Sequence, residues 1–292
     1  MRLRAWIMAA RPRTLPAAVA PVLVGTAMAG WRGAAAFGPA VAALAGALLI
    51  QIATNLANDY FDFRKGADTE GRLGPTRVVQ AGILSPEAVL RGTLVVLTLA
   101  LVVGIYLVAV GGLPIRVIGL TALVCAVIYT GGPFPLAYHG LGDLFVFLFF
   151  GLVAVGGTYW VQALDFHPDL LLAGAGVGAL TTAILVVNNL RDREEDARVG
   201  KRTLAVRLSV GGSRVQYLSL LVGAMAVPAL GIRYFAWPDW TLMALGSLVF
   251  LVRPLIIVLA FRDRRELNPA LAWTARGTAW YAGLMAVGFL LG

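Results

Sequence analysis

Long apolar stretches of helical length recur along almost the whole chain. Because an α-helix needs about 20 mostly apolar residues to cross a membrane, each stretch predicts a transmembrane helix. Nine such stretches are centred near Val22, Leu48, Val96, Leu120, Leu148, Ala179, Leu221, Leu245 and Met285. No ten-residue segments of alternating apolar and polar residues, the pattern of a transmembrane β-barrel, interrupt them. The pattern predicts an all-α integral membrane protein, a bundle of nine transmembrane helices that forms a single domain over residues 1–292.

The composition agrees with this prediction. Hydrophobic residues make up 59% of the 292 positions and charged residues only 13%, whereas soluble domains carry roughly 25% charged residues. The mean hydropathy of +0.82 points the same way. These values exclude an ordinary soluble enzyme.

Basic residues predict the orientation, since cytoplasmic loops carry an excess of Lys and Arg. With nine spans, the N-terminus shares a side with the loops that follow every second span. Nineteen basic residues fall there: Arg2, Arg4, Arg11, Arg13, Arg64, Lys65, Arg72, Arg77, Arg91, Arg191, Arg193, Arg198, Lys201, Arg202, Arg207, Arg214, Arg262, Arg264 and Arg265. The other side has Arg32, Arg116 and Arg233. We therefore expect a multi-pass protein of the bacterial cytoplasmic (inner) membrane, with its N-terminus in the cytoplasm and its C-terminus outside.

The net charge of +9 suggests anionic partners. Because the basic residues lie at predicted membrane edges, lipid headgroups and a substrate phosphate explain them better than nucleic acid does.

Carboxylates are concentrated in two short stretches. Eight of the fifteen acidic residues fall there: Asp59, Asp62, Asp68 and Glu70 in the first stretch, and Asp192, Glu194, Glu195 and Asp196 in the second. We expect both in long cytoplasmic loops, at about 57–86 and 191–214, each preceded by an apolar helix that ends in asparagines. The asparagines are Asn55 and Asn58 in one case and Asn188 and Asn189 in the other, which resembles a weak internal repeat.

The spacing of these carboxylates predicts a metal site. Asp59 and Asp62 lie three residues apart and Asp192 and Asp196 four apart, so each pair shares one helix face. Carboxylates near hydrocarbon need a partner that neutralises them, and oxygen ligands suit Mg²⁺, which also takes phosphate oxygens. Six predicted ligands, sufficient for two Mg²⁺ ions, are Asn58, Asp59, Asp62, Asp68, Asp192 and Asp196.

A diphosphate substrate would complete such a site. Arg72, Arg77 and Lys201 lie nearby and offer charge-assisted hydrogen bonds to its oxygens. When diphosphate leaves an allylic prenyl group, a carbocation remains, and a water-poor cavity in a membrane bundle would protect it from hydrolysis. A prenyl diphosphate is therefore one donor that such a site would suit, with Asp59, Asp62, Asp192 and Asp196 as the candidate catalytic carboxylates.

Several segments carry a family resemblance. The patterns Asn58-Asp59-x-x-Asp62 and Asp192-x-x-x-Asp196 resemble the paired aspartate motifs of the UbiA superfamily of intramembrane prenyltransferases. More narrowly, five segments resemble the bacterial branch that prenylates 1,4-dihydroxy-2-naphthoate: RPRTLPAAVAPVLVGTA from Arg11, NLANDYFDFRKGADTEGRLGPTRVVQAG from Asn55, YTGGPFPLAYHGLGDLFVFLFFG from Tyr129, NNLRDREEDARVGKRTLAVRL from Asn188 and ELNPALAWTA from Glu266. Five residues separate Asp62 from Asp68, where the superfamily usually has three; the longer spacing is typical of the naphthoate branch.

The resemblance implies a nine-helix bundle with a cytoplasm-facing cavity open laterally to lipid. The implied reaction is Mg²⁺-dependent transfer of a polyprenyl group from its diphosphate to the naphthoate ring, with loss of the ring carboxylate, giving demethylmenaquinone. Carried over by position, Asn58, Asp59, Asp62, Asp192 and Asp196 would hold metal and diphosphate, with Asn55 and Asn188 beside them and Lys201 and Arg77 on the phosphates. Candidates for the aromatic acid, from motif membership, are Arg11, Arg13, Tyr129 and Asn268.

Alternatives remain at this stage. The acidic stretches would also fit ion pairs with their own basic neighbours, which contribute about 0–1 kcal/mol each when exposed. A cation-coupled membrane transporter is a second class, and it predicts ionisable residues deep within several spans, where the sequence offers mainly Arg253 and Arg276. A CDP-alcohol phosphotransferase would need a D-G-x-x-A-R motif, which is absent. Within the superfamily, 4-hydroxybenzoate, homogentisate, haem and chlorophyllide enzymes share the aspartate motifs.

Overall fold

The computed structural model describes residues 2–67 and 73–292, and within these ranges the protein is helical without any strand. Its α-helices are α1 (Arg2–Ala10), α2 (Pro16–Trp31), α3 (Phe37–Arg64), α4 (Pro86–Ile128), α5 (Gly142–Phe147), α6 (Ala154–Ala163), α7 (Asp169–Arg198), α8 (Leu204–Phe235), α9 (Leu248–Ala260) and α10 (Leu267–Leu290). A π-helical turn, Leu148–Val153, joins α5 to α6, and a 3₁₀ segment, Asp239–Ser247, leads into α9. The all-α prediction is confirmed for the described residues.

The helices are long and apolar enough for a multi-pass membrane protein. Among the described residues, six helical segments are long and apolar enough to cross a bilayer. A seventh is added if α1 and α2, which meet at an angle of 53°, are taken as one bent span. The bend follows Arg11, whose φ of 51° is unusual for a residue with a side chain. These six or seven segments do not confirm the predicted count of nine spans.

Helix α4 spans 43 residues, where the sequence predicts two separate spans. It is broken at Gly112, whose φ of 67° and ψ of −150° are accessible almost only to glycine. Pro114 adds to the break because it has no N–H to donate. The indole Nε1 of Trp160 in α6 donates a hydrogen bond to the Gly111 carbonyl at 2.8 Å, so that carbonyl is satisfied although the helix is interrupted.

Helix α7 is the centre of the bundle. Of its most apolar window, 72% is buried, compared with 11% for α4, which lies at the periphery. Small residues permit this packing: a Cβ on Gly151 would lie 2.5 Å from the Gly174 carbonyl and 2.7 Å from Gly178 Cα. The main core joins α2, α7, α8, α9 and α10.

A second, smaller core fixes the segment after α3. Val78 and Val79 are buried against Ala9 of α1, Leu56 of α3 and Val89 of α4. This apolar anchor determines where the preceding residue, Arg77, lies.

The four aspartates at positions 59, 62, 192 and 196 lie in helices, which corrects the prediction of loops for them; Asp68 and Glu70 lie outside the described residues. Helix α3 continues to Arg64 and α7 to Arg198, so Asp59, Asp62, Asp192 and Asp196 all lie within helices. The connections are accordingly shorter than predicted; α8 begins at Leu204. The apolar pattern ends at the asparagines, but the hydrogen-bonded helix continues for six residues after Asn58 and nine after Asn189, about two turns in each case.

Candidate active site

The last turns of α3 carry the first cluster. Asp59 and Asp62 are 1% and 2% exposed, although carboxylates are rarely buried unless paired. Arg77 pairs with both: its Nη1 donates to Asp59 and its Nη2 to Asp62 Oδ2 at 3.2 Å. Arg11 donates a second charged hydrogen bond to Asp59. Two guanidinium groups therefore neutralise the inner aspartate of this cluster.

The asparagines of α3 have different partners. Asn55 donates from Nδ2 to the Ala10 carbonyl and to Thr14 Oγ1, each at 3.0 Å, and so fastens the bend between α1 and α2. Asn58 accepts a hydrogen bond from Thr130 Oγ1 at 2.8 Å.

Helix α7 carries the second cluster. Arg191 forms a two-pronged pair with Asp192, with Nε to Oδ1 and Nη2 to Oδ2 both at 2.7 Å. The same guanidinium donates to Asn188 Oδ1 at 2.8 Å and to Asn268 Oδ1 at 3.1 Å. Asn268 in turn donates to the Leu73 carbonyl at 3.0 Å, so α10 connects α7 with the segment that follows α3.

Tyr138 joins the two clusters physically. Its hydroxyl donates to Asp62 Oδ1 at 3.1 Å. The ammonium of Lys201 lies 5.5 Å from the centre of its ring and 3.6 Å from Asp196 Oδ1. Lys65, one residue beyond α3, lies 4.6 Å from the same ring centre. The two aspartate helices thus converge on one aromatic side chain flanked by two ammonium groups.

The pKa shifts of Tyr129 and Lys65, which lie outside the spans, also indicate that the two aspartate clusters are close together. Desolvation raises the pKa of the Tyr129 hydroxyl, and the charges of Asp143, Asp62 and Asp196 raise it further. Desolvation lowers the pKa of Lys65, although Asp62 opposes the shift; the nearby charge of Lys201 lowers it further. Residues from both clusters therefore act on one small region.

Both clusters face a single cavity of about 660 Å³. Its polar end is lined by Asn58, Asp62, Arg77, Asn188, Asp192, Asp196 and Lys201. Its walls elsewhere are mainly apolar, with a few polar residues such as Arg116 and Thr158. They come mainly from α3, α4, α5 and α6, for example Leu107, Val108, Ile115, Leu123, Phe149 and Val161. This shape fits a ligand with an anionic head and a hydrocarbon tail.

Most of the predicted site residues lie on this cavity. Besides those at its polar end, Arg11, Asn55 and Tyr129 line it. Asp59 and Asn268 are not lining residues: they hold Arg11, Arg77 and Arg191 in place. Arg13 is exposed and away from the cavity wall. Asp68 and Arg72 lie outside the described residues.

Sequence reasoning missed several polar residues of the cavity. Gln51 Oε1, Asp143 Oδ2 and Thr203 Oγ1 are buried without a hydrogen-bond partner in the described part of the chain, and all three residues line the cavity. Asp143 carried a usable signal, because it is an acidic residue at the start of a long apolar run. The role of Tyr138 depends on tertiary contacts and had no such signal.

The donor set fits Mg²⁺ delivered together with a diphosphate. Among residues 2–67 and 73–292, no three His, Cys, Asp or Glu side chains are grouped closely enough to hold a metal alone. Mg²⁺ usually takes one or two carboxylates, with waters and substrate phosphates completing its octahedron. Asp62, Asp192 and Asp196 on one cavity meet that requirement.

Comparison with known proteins identifies the family. The UbiA prenyltransferase family model matches residues 18–283. The chain belongs to the UbiA prenyltransferase family. It is therefore an enzyme of prenyl transfer, and the resemblance seen in its aspartate motifs is confirmed.

Curated relatives cover almost the whole chain. The 1,4-dihydroxy-2-naphthoate octaprenyltransferase of Mycobacterium tuberculosis is 40% identical over 97% of this chain and 94% of its own length. The protein with the same name from Haemophilus influenzae is 35% identical over 100% and 97%. The one from Bacillus subtilis is 30% identical over 96% and 90%.

Solved structures share the fold at low sequence identity. The apo structure of a UbiA homologue from Aeropyrum pernix superposes with a TM-score of 0.69 at 16% identity, covering 96% of each chain. A UbiA homologue from Archaeoglobus fulgidus bound to DMAPP and Mg²⁺ gives 0.63 at 14% identity, covering 97% of this chain and 99% of that one.

Proposed function

We propose that this enzyme transfers a polyprenyl group from polyprenyl diphosphate to 1,4-dihydroxy-2-naphthoate, with Mg²⁺ bound and with loss of the ring carboxylate, giving demethylmenaquinol, the reduced form of demethylmenaquinone. The observation that carries the proposal is the convergence of two aspartate-bearing helices on one cavity whose remaining walls are mainly apolar. Membership of a prenyltransferase family supports an enzyme rather than a transporter.

The polar end of the cavity binds the diphosphate. Asn58, Asp62, Asp192 and Asp196 are its oxygen donors for Mg²⁺, and we propose two ions, as expected for a pair of aspartate motifs. Bound Mg²⁺ would neutralise charge that develops on the departing diphosphate. Arg77 and Lys201 supply charge-assisted hydrogen bonds to the same oxygens. Asp59 acts indirectly, because it fixes the guanidinium groups of Arg11 and Arg77.

The apolar walls bind the prenyl chain and exclude water from C1 as its bond to diphosphate breaks. Tyr138 presents its ring to Lys65 and Lys201, and its hydroxyl holds Asp62 in position. Tyr129 and Arg11 line the cavity beside this end and are the best placed of the predicted acceptor contacts.

The naphthoate assignment comes from the relatives. Proteins named 1,4-dihydroxy-2-naphthoate octaprenyltransferase match nearly the full chain at 30–40% identity. Other aromatic acceptors, such as 4-hydroxybenzoate or homogentisate, are outcomes of the test below.

We also propose nine spans in one domain, with the active site at the cytoplasmic face of the membrane. A helix of 43 residues is roughly 65 Å long, twice the hydrocarbon thickness of about 30 Å, so the break at Gly112 would divide α4 into two spans. The bent α1–α2 pair, α3, the α5–α6 segment, α7, α8, the segment ending in α9, and α10 supply the others. The excess of basic residues on one side supports a cytoplasmic position for the N-terminus and both clusters.

The test is a purified-protein assay with labelled polyprenyl diphosphate and a set of aromatic acids. We expect 1,4-dihydroxy-2-naphthoate to give the highest kcat/KM and to release CO₂ and diphosphate in equal amounts. Faster turnover of a benzoate would overturn the acceptor assignment.

Metal dependence is tested separately. After treatment with a chelator, we expect turnover to stop and to return when Mg²⁺ is added. Undiminished turnover without divalent ions would remove the metal from the proposal, whichever acceptor is preferred.

A further inference from the structure

Asp143 is a buried carboxylate on the cavity wall, separate from the aspartate clusters of α3 and α7. It lies in the first turn of α5, lines the cavity and is 6% exposed. Its Oδ1 accepts a hydrogen bond from Gln216 Nε2 of α8 at 3.0 Å. Its Oδ2 is buried and has no hydrogen-bond partner among the described residues.

An unpaired oxygen of this kind is costly. Leaving a buried acceptor without a donor costs about 1–3 kcal/mol, and more when the group is charged. Nearly all buried polar groups in native proteins are satisfied, so an exception in a residue that lines a cavity needs its own explanation. A hydrogen-bond donor carried by a ligand supplies one.

The position of Asp143 relates this oxygen to the reacting end of the cavity. The neighbouring Gly142 packs against the Tyr129 hydroxyl, which would lie only 3.0 Å from a Cβ at that position. The charge on Asp143 acts on the same hydroxyl as the charges on Asp62 and Asp196. Tyr129 therefore lies near Asp143 and near aspartates of both clusters.

We propose that Asp143 receives the ring hydroxyl of the aromatic acceptor, first as a hydrogen-bond acceptor and then as the base that removes its proton. The inference rests on the proposed prenyl transfer to a hydroxylated aromatic acid. Gln216 orients the carboxylate through Oδ1 and leaves Oδ2 for the substrate.

The step balances without any further reactant. The O–H bond of the acceptor breaks, its proton passes to Asp143 Oδ2, and its electron pair raises the electron density at the adjacent ring carbon. That carbon forms a bond to C1 of the prenyl group, while the C1–O bond breaks and its electron pair leaves on diphosphate. The prenylated ring carbon then loses the substituent that it carried before; a carboxylate leaves as CO₂ and its bonding electrons stay in the ring. The ring oxygen takes back the proton from Asp143.

A purely structural role makes different predictions. If Asp143 served only to hold Gln216 and α8, its replacement would affect folding and would affect all acceptors equally. Asn is nearly isosteric and keeps an oxygen for Gln216, so Asp143→Asn separates the two roles. Asp143→Glu restores the base with altered reach, and Asp165→Asn, at an exposed aspartate (55% side-chain exposure), is the matched control.

The experiment compares these variants in full-length protein with an acceptor series of decreasing hydroxyl pKa. For Asp143→Asn we expect kcat to fall about 10²-fold, as for loss of a general base, with an unchanged KM for the donor and an unchanged Tm. The loss should shrink as the acceptor hydroxyl becomes more acidic, because such a hydroxyl ionises without help. Asp143→Glu should recover part of the activity, and the control Asp165→Asn should keep the full activity of the wild type.

Two results would overturn the role of Asp143: wild-type kcat in Asp143→Asn, or a loss of the same size for every acceptor in the series. Neither depends on which acid the wild-type enzyme prefers. Preference for another hydroxylated aromatic acid would contradict the naphthoate assignment alone, since the variants can then be compared with that acid.

Discussion

Asp192 shows how each aspartate of the site is held by a nearby cation. Its two oxygens accept hydrogen bonds from Arg191, which is only 2% exposed and also contacts Asn188 and Asn268. A buried pair of this kind fixes the carboxylate in one orientation, because breaking it would strand a charge at a cost of about 3–5 kcal/mol. The ion pair thereby positions an acidic group that points toward the cavity.

Asp192→Asn tests this carboxylate as a metal ligand. The amide retains one oxygen for Arg191 but loses the negative charge and one of the two hydrogen bonds, so we expect a folded protein of lower Tm. We expect kcat to fall by roughly 10²-fold or more, equivalent to several kcal/mol of transition-state stabilisation. Activity and Tm should be measured together, with Asp165→Asn as the control. Full activity in Asp192→Asn would exclude the residue from the metal site.

Arg77→Lys tests the guanidinium that bridges two carboxylates. Lysine keeps the charge but cannot contact Asp59 and Asp62 in a planar fork. Loss of one charge-assisted hydrogen bond, worth about 1.5–3 kcal/mol, should raise the KM for the donor by about 10- to 100-fold. Arg91→Lys, an exposed substitution on α4, is the control. An unchanged donor KM in Arg77→Lys would show that Arg77 does not contact the substrate.

At the scale of the element, glycines determine where helices break and how closely they pack. Gly112 interrupts α4 with a positive φ, whereas Gly151 and Gly178 allow the turn after α5 to lie against α7 without side chains between the backbones. In a membrane, small residues at such contacts replace the hydrophobic driving force available in water.

Gly112→Ala tests the break in α4 as a backbone effect. A Cβ at Gly112 meets no atom within 4 Å, so any cost comes from its φ of 67° rather than from a clash. We expect Gly112→Ala to destabilise the protein by about 1–3 kcal/mol. Gly119→Ala is the matched control, since it lies in the same helix, also in open space but without a positive φ, where alanine should favour the helix by up to about 1 kcal/mol. Thermal unfolding in detergent measures both; equal Tm values would contradict the prediction.

Much at this scale could be predicted from the sequence, and the rest depends on tertiary contacts. The apolar pattern located the helices, and the acidic residues were conspicuous against it. The same pattern underestimated the lengths of α3 and α7, because it follows burial in lipid and polar turns can continue a helix. The bridges made by Tyr138 and Asn268 connect residues far apart along the chain, so no local pattern could reveal them.

At the scale of the whole molecule, the two ends of the bundle differ in charge and in packing. One end holds the aspartate clusters and the polar part of the cavity. The N-terminus of α7, roughly 35 Å away along the helix at 1.5 Å per residue, is closed by Asp169, which accepts hydrogen bonds from Arg32 and from Trp237, each at 2.7 Å. This closed end fixes α7 and two loops in place, so the clusters at the other end are carried by a rigid helix.

The orientation of the molecule in the membrane is the last prediction. Ala81 lies exposed near the end with the clusters and Ala35 lies exposed in the connection after α2, near the closed end. Cys125, which is half-buried, is the single cysteine and is first replaced by Ser. In intact cells, a membrane-impermeant thiol reagent should then label Ala35→Cys but not Ala81→Cys, because the excess of basic residues keeps the cluster end in the cytoplasm. In opened membranes both positions should react, which controls for accessibility. Labelling of Ala81→Cys alone in intact cells would reverse the orientation and place the active site outside.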